Sequence, residues 1–304
     1  MTINLSALIH LLLALLLAPL LPGIINRTKA FMAGRKGQPL LQTYFDIFKL
    51  IQKGAVYSRT TSWIFRAGPI VSLAVIISVL MVIPFAASPA IVAFDGDLIF
   101  FAAALGLARF FMVLASLDTG SSFEGMGASR EITYALLVEP ALLVGLLALS
   151  RLSHSLSLSG ILYTSGVLGW SVGAPALVGG SLFVLFLAEN ARIPIDDPNT
   201  HLELTMIHEV MVLDHSGPDF AFIQYAGALK LWLLGALFVG VASPNLTYSS
   251  IWVREIFAVG GMVLLSVAVG LVESSMARLR LLRVPQLLVG AGALSMLAAI
   301  LVLG

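Results

Sequence analysis

The run LSALIHLLLALLLAPLLPGII (residues 5–25) contains no Asp, Glu, Lys or Arg, and Arg27 and Lys29 follow directly after it. About 20 apolar residues in a helix cross a hydrocarbon core of roughly 30 Å. An open strand cannot, because lipid offers no partner to unpaired backbone groups. The run therefore reads as a membrane-spanning helix. Its positive charge comes after the apolar stretch, the reverse of the order in a secretory signal. The expectation is a retained first span with the N-terminus outside. The same reading along the chain predicts spans at 4–25, 66–87, 97–117, 132–150, 166–189, 227–246, 255–275 and 285–303. The fold class that follows is an all-α, polytopic membrane protein with about eight transmembrane helices, forming one integral membrane domain over residues 1–304.

Composition agrees. Of 304 residues, 59% are apolar and 11% are charged, whereas soluble domains carry roughly a quarter charged residues. So few charges cannot clothe a water-facing surface of this size. There is no cysteine, which excludes a Cys-ligated iron–sulfur cluster, a disulfide and a thiolate zinc site in this chain. Glycine pairs at Gly179-Gly180, Gly260-Gly261 and Gly290-Ala291-Gly292 suit close helix packing, and equally suit ordinary span composition.

The basic residues give an orientation. The loop after the first span carries Arg27, Lys29, Arg35, Lys36, Lys49, Lys53, Arg59 and Arg66; Arg130, Arg192, Arg278, Arg280 and Arg283 fall on the same side. Only Arg151 and Arg254 fall on the other. Loops enriched in Lys and Arg face the cytoplasm, so both termini are expected outside. Two cytoplasmic loops exceed what a connection needs. Residues 26–65, after span 1, hold amphipathic material around Leu40–Ile51, expected as a short helix at the membrane surface. Residues 190–226, after span 5, are rich in acid and histidine. The basic first loop suits lipid headgroups, and nothing indicates nucleic-acid binding.

Glu139 is the sharpest single residue. It lies in ALLVEPALLV, inside the fourth predicted span, where a carboxylate costs about 2.5–3.5 kcal/mol unless paired or protonated. It reads as a proton relay, or alternatively as a protonated side chain bonded to a neighbouring helix. Glu189, Arg192, Asp196 and Asp197 gather in FLAENARIPIDDP at the end of the fifth span, where Pro194 and Pro198 break the helix. Arg109 and Asp118 are a candidate pair, as are Glu273 and the following Arg278 and Arg280. Lys230 opens the sixth span, and Glu124, Arg130 and Glu131 fall in the predicted loop before the fourth. In THLELTMIHEVMVLDH, His201, His208 and His215 recur every seven residues with Glu203, Glu209 and Asp214 between them. On a helix the histidines would share a stripe, but a rise of roughly 10.5 Å per step is too long for two to hold one ion. The stripe is expected to face a partner or a polar cavity, without a metal.

These motifs resemble one family. RKGQPLLQTYFDIFKL (35–50), ARFF (108–111), LDTGSSF (117–123), GASRE (127–131), VEP (138–140) and ESSMARLR (273–280) are similar to the membrane subunit shared by complex I, as its subunit 1, and the group 4 membrane-bound [NiFe] hydrogenases. Formate hydrogenlyase subunit 4 and the hydrogenase-4 membrane subunit are the nearer branch. The resemblance implies an anchor with a conduit. A hydrogenase-like large subunit and an iron–sulfur small subunit would dock on the cytoplasmic loops, and antiporter-like subunits would lie alongside in the membrane. Cofactors would sit in those partners, as iron–sulfur clusters and a nickel–iron centre where the large subunit retains one. It places Glu139, Glu189, Asp196 and Asp197 on an ion pathway, and Arg35 and Asp46 at the peripheral arm. Adding the other span-linked groups extends the pathway to Glu203, Glu209, Asp214, Lys230, Glu273, Arg109 and Asp118. Docking extends to Lys36, Lys49, Glu124, Arg130, Glu131, Arg192, His201, His208, His215, Arg278 and Arg280. The implied setting is the cytoplasmic membrane of a bacterium or archaeon.

Two departures qualify the resemblance. Gln38 interrupts the usual R-R-G-P of the first loop, and IPIDDPNTHLEL followed by LDHSG replaces the usual acidic run and E-Y-S-G. Asp214 and His215 stand for Glu and Tyr, and Asn199, Thr200 and His201 dilute the acids. These changes argue against quinone binding and bring histidine into the relay. A complex I subunit contributing to a quinone chamber, and a stand-alone ion carrier, are the alternative functions.

Overall fold

The computed structural model describes residues 5–86, 88–168, 173–196, 207–243 and 250–303, and among these the only non-helical pairing is an isolated bridge between Phe85 and Ser88. The first half contains α1 (Leu5–Leu17), α2 (Leu20–Met32), α3 (Gln42–Ile51), α4 (Trp63–Leu80) and α5 (Asp97–Asp118). The second contains α6 (Ser122–Ser153), α7 (Leu158–Leu168), α8 (Gly173–Glu189), α9 (Gly217–Ala242), α10 (Ile251–Ser275) and α11 (Val284–Leu303). Among the described residues, six helices are long and apolar enough to cross a bilayer: α4, α5, α6, α9, α10 and the Leu281–Leu303 segment that ends in α11. α1 and α2 make a seventh span if their bent pair is counted as one, and α8 is apolar but shorter. The chain is a multi-pass, all-helical membrane protein.

Three local features differ from the sequence expectation. The first span is broken, with α1 and α2 meeting at 51°. Pro19 and Pro22 each remove an N–H donor; Pro22 cannot bond the Ala18 carbonyl, which Leu21 N takes instead at 3.2 Å, and the ladder turns. The fourth span begins well before residue 132. α6 runs over 32 residues from Ser122, so Glu124, Arg130 and Glu131 lie on a helix and not in a loop. The histidine stripe does not form: residues 207–216 are turns around a short 3-10 segment, Val210–Val212, and His201 lies outside the described residues.

The helices close around one apolar core, and small residues set how near they come. A Cβ at Gly68 of α4 would stand 2.7 Å from Ala115 Cβ of α5, and one at Gly270 of α10 would stand 2.7 Å from Thr28 Cβ of α2. Among the glycine pairs, Gly261 meets Val239 of α9, whereas Gly260 and Gly290 face open space. Buried hydroxyls bond across helices: Ser181 of α8 donates to the Ala291 carbonyl of α11 at 2.9 Å and lies 2.8 Å from Ser295 Oγ. Asp97 caps α7, accepting from Leu158 N at 2.6 Å and Ser157 Oγ at 2.7 Å. α3 lies in the predicted first loop with Phe45 and Phe48 exposed and none of its residues fully buried.

Gly23 carries the chain's tightest crossing, where a Cβ would run into the Leu40 carbonyl. Gly23→Ala is expected to destabilise the protein by about 1–3 kcal/mol, as overpacking does, and to lower its melting temperature in detergent. Gly260→Ala, which meets nothing within 4 Å, is expected to leave that temperature unchanged.

Candidate functional site: a buried ion-pair network

Arg109 projects from the middle of α5 toward α6 and α8. Its Nε donates to Glu131 Oε1 at 2.9 Å, and its two Nη atoms donate to Glu139 and Glu189. The planar guanidinium has donors enough for three carboxylates at once. Glu189, at the end of α8, also accepts Lys230 Nζ of α9 at 2.6 Å. His208 Nδ1 lies 3.5 Å from Glu131 Oε2 and pairs with it when the imidazole is protonated. Three carboxylates thus share two permanent cations, which leaves a formal negative excess that one proton can balance.

Burial is uneven. The side chains of Glu131 and Glu189 are 9% and 5% exposed, while that of Glu139 is 44% exposed at the side of the bundle. Nearby, Leu136 of α6 and Phe110 and Leu107 of α5 are exposed as well. A cavity of about 510 Å³ reaches the network from the end that carries α3, between α2, α3 and α9. Arg109, Glu131, Glu189, His208 and Lys230 are part of its wall, as is Asp46, which accepts Gln42 Nε2 at 2.8 Å.

Two smaller ion-pair groups brace the same end. Glu273 of α10, fully buried, lies between Lys29 Nζ of α2 at 2.8 Å and Arg192 Nη1 at 3.6 Å. Asp196 accepts from Ile207 N and His208 N at 3.0 and 3.3 Å and pairs with Arg278 at 3.2 Å. The backbone adds Leu279 N donating to the Pro194 carbonyl at 2.9 Å. The segment after α8 is thereby stapled to the α10–α11 connection.

The structure therefore brings together Arg109, Glu131, Glu139, Glu189, His208 and Lys230, and separately Glu273 with Arg192 and Asp196 with Arg278. Asp118 does not meet Arg109; it accepts Ser62 N at 2.6 Å and caps the start of α4. Glu273 pairs with Lys29 and Arg192 in place of Arg278 or Arg280. Glu124, expected at a docking surface, is buried and accepts Asp214 N at 3.0 Å. Arg35, Lys36, Lys49, Asp214 and Arg280 are exposed, and Arg130 and Glu209 are half-buried. Asp197, His201 and Glu203 lie outside the described residues. Among the described residues no group of three or more His, Asp or Glu is placed to hold a metal ion. Sequence reading missed Lys29, assigned to orientation alone, although its position one helical turn into the charged end of a span is a signal of pairing.

His215 is buried in the turn before α9, stacked on Phe65 with ring centroids 3.9 Å apart. Burial pushes its pKa down to about 4, so the ring is neutral and acts as an aromatic wall. Beside it, Ser216 Oγ accepts Val56 N at 3.0 Å and clasps the first loop.

The fold is thus a polytopic bundle with a buried arginine–carboxylate network behind a cavity at the end that carries α3. The chain belongs to the NADH dehydrogenase family, whose model matches residues 5–304, and within it is complex I subunit 1-like. It is 32% identical over 283 residues to formate hydrogenlyase subunit 4 of Escherichia coli K12, covering 90% of each chain. It is 31% identical to hydrogenase-4 component C of the same organism, covering 91% of this chain and 88% of that one. Its fold matches a chain of the archaeal membrane-bound sulfane sulfur reductase complex with a TM-score of 0.84 at 20% identity, covering 99% and 100% of the two chains.

Two expectations follow. Arg109→Met leaves three carboxylates with Lys230 as their only permanent cation, and is expected to cost about 3–5 kcal/mol, the scale for breaking a buried pair, read as a drop in melting temperature. His215 gives a pH dependence: its folded pKa lies below the ordinary 6.5, so the unfolded chain binds the extra proton and stability falls as pH drops from about 6.5 toward 4. His215→Phe should flatten thermal stability across that window.

Proposed function

We propose that this chain is the membrane anchor and ion-conduit subunit of a group 4 [NiFe] hydrogenase or hydrogenase-related complex, in the cytoplasmic membrane of a bacterium or archaeon. The carrying observation is the Arg109 network ending at Glu139. A carboxylate partly open on the side of a span would cost about 2.5–3.5 kcal/mol against lipid. A neighbouring membrane subunit with a polar side chain at this level removes that cost and continues the path. Antiporter-like subunits are the partners of that shape. The similarity to two hydrogenase membrane subunits supports the same reading.

The chain holds no cofactor of its own in this reading. Iron–sulfur clusters and a nickel–iron centre belong to a small and a large subunit docked on the cytoplasmic end, where Arg35, Lys36, Lys49 and Arg280 are exposed. The formal negative excess of the network supplies a place for one exchangeable proton beneath that arm. Electron transfer above would change the proton's energy, and Glu139 would pass it sideways. The quinone reading has one supporting observation, the cavity under α3. Its inner wall, however, is occupied by charges already paired with one another.

The intact complex separates these readings. Hydrogen evolution without quinone reduction is expected, and quinone turnover without hydrogenase activity would defeat the proposal. Glu139→Gln should preserve assembly and redox turnover while lowering ion translocation per electron pair; undiminished coupling would remove Glu139 from the path.

A further inference from the structure

The turns over residues 207–214 lie against one face of α6. Glu124, Gly127 and Glu131 share that face, three and four residues apart on one helix. Gly127 lets the backbone come close: a Cβ there would stand 3.0 Å from the Ile207 carbonyl oxygen and from Met211 Cγ. The acids on either side hold the two ends of the turn. Glu124 accepts Asp214 N at 3.0 Å, and Glu131 meets His208. The backbone at the His208 end is fixed again by Asp196, which accepts Ile207 N and His208 N and is itself paired with Arg278.

This frame gives His208 two faces. Its Nδ1 is buried and lies 3.5 Å from Glu131 Oε2. The side chain is nonetheless 36% exposed, so the exposure falls on the rest of the ring, and the residue lines the cavity beside α3. The carboxylates on the same wall are more enclosed: Glu131 has Oε1 on Arg109, and Glu189 is held between Arg109 and Lys230. The charged groups around His208 are Glu131 and Arg109, Asp196 and Arg278, and Glu209 next along the chain. Imidazole is the side chain that takes a proton at one nitrogen and gives one from the other near neutrality.

We propose that His208 is the group through which the network exchanges its proton with the cavity, an inference that rests on the conduit reading above. A proton from water in the cavity adds at Nε2, and the proton on Nδ1 passes to Glu131 Oε2. The ring is left neutral with its hydrogen on Nε2, and one carboxylate has become a carboxyl. The reverse sequence returns the proton, and net flow requires the ring to turn over between protons. Transfer needs roughly 2.6–3.2 Å between heavy atoms, so the imidazole must swing slightly inward to deliver it. Glu124 and Gly127 are positioning residues: they set where the turn lies, and so where the ring stands.

The test measures proton translocation by the intact complex in sealed vesicles, for wild type, His208→Ala, His208→Gln and Glu139→Gln, with and without added imidazole. His208→Ala should slow translocation at least about tenfold, within what a positioned proton-transfer group supplies. Imidazole in the cavity should restore much of that rate and leave wild type unchanged, a response that a merely structural defect would not give. Wild-type translocation by His208→Ala, or a loss that imidazole does not restore, would overturn the proposal. Should His208→Ala fail to assemble, His208→Gln decides: a slowed rate is expected, and an undiminished one rejects the role. Glu139→Gln keeps the two readings apart. Impaired coupling there beside an intact His208→Ala rejects His208 alone, whereas normal coupling in both rejects the conduit as well.

Discussion

A guanidinium shared by three carboxylates inside a membrane bundle is the constraint on which the rest depends. Each of those charges would be expensive alone in hydrocarbon. Arg109 must reach Glu131 and Glu139 on α6 and Glu189 on α8 at once. That requirement fixes the rotation of α5 against α6 and the point where α8 ends. Lys230 extends the same demand to α9. The helices carrying these groups are mostly apolar, so packing alone would tolerate other rotations. The charges do not.

The broken elements have a place in this picture. α1 and α2 bend where two prolines interrupt the ladder, and the bend carries Lys29 toward α10, where Glu273 has no exposure of its own. α8 stops at Glu189, and the following segment brings Arg192 to Glu273 and Asp196 to Arg278. Irregular backbone at the end of a span is tolerated where it is buried in protein or borders a cavity. Here it does both. The charged side chains hold the irregular segments, and those segments bring together charges that straight helices would have spread apart.

Much of the fold was legible because span chemistry is blunt. Runs of apolar residues predicted every long helix, and Glu139, Glu189, Arg109 and Lys230 stood out as ionisable groups at spans. What could not be read was direction. Proximity along the chain suggests pairing Arg109 with Asp118, but nine residues on a helix put them two and a half turns apart, and Asp118 caps α4 instead. Glu131 and Glu124 were assigned to a loop because polar residues interrupt the apolar pattern there. The helix continues because Arg109 of α5 and the turn at Asp214 satisfy Glu131 and Glu124 from within the protein. The histidine stripe departs for the opposite reason: a period of seven suggests a helix, and among the described residues the part from His208 to His215 forms only a short 3-10 turn.

Charge counting supports the proposed reading of the network as a place for ion movement. A site with matched charges is inert, and a site with a large imbalance would not fold in lipid. Three carboxylates against two permanent cations, with His208 at the margin, lies between those limits. A proton entering or leaving changes the formal charge between zero and one, the smallest step available. In the proposed reading the cavity beside α3 is that proton's route to the network, and Glu139, 44% exposed, is its face toward the side. In the proposed reading the network moves charge through the bundle, and the electron chemistry belongs to partner subunits.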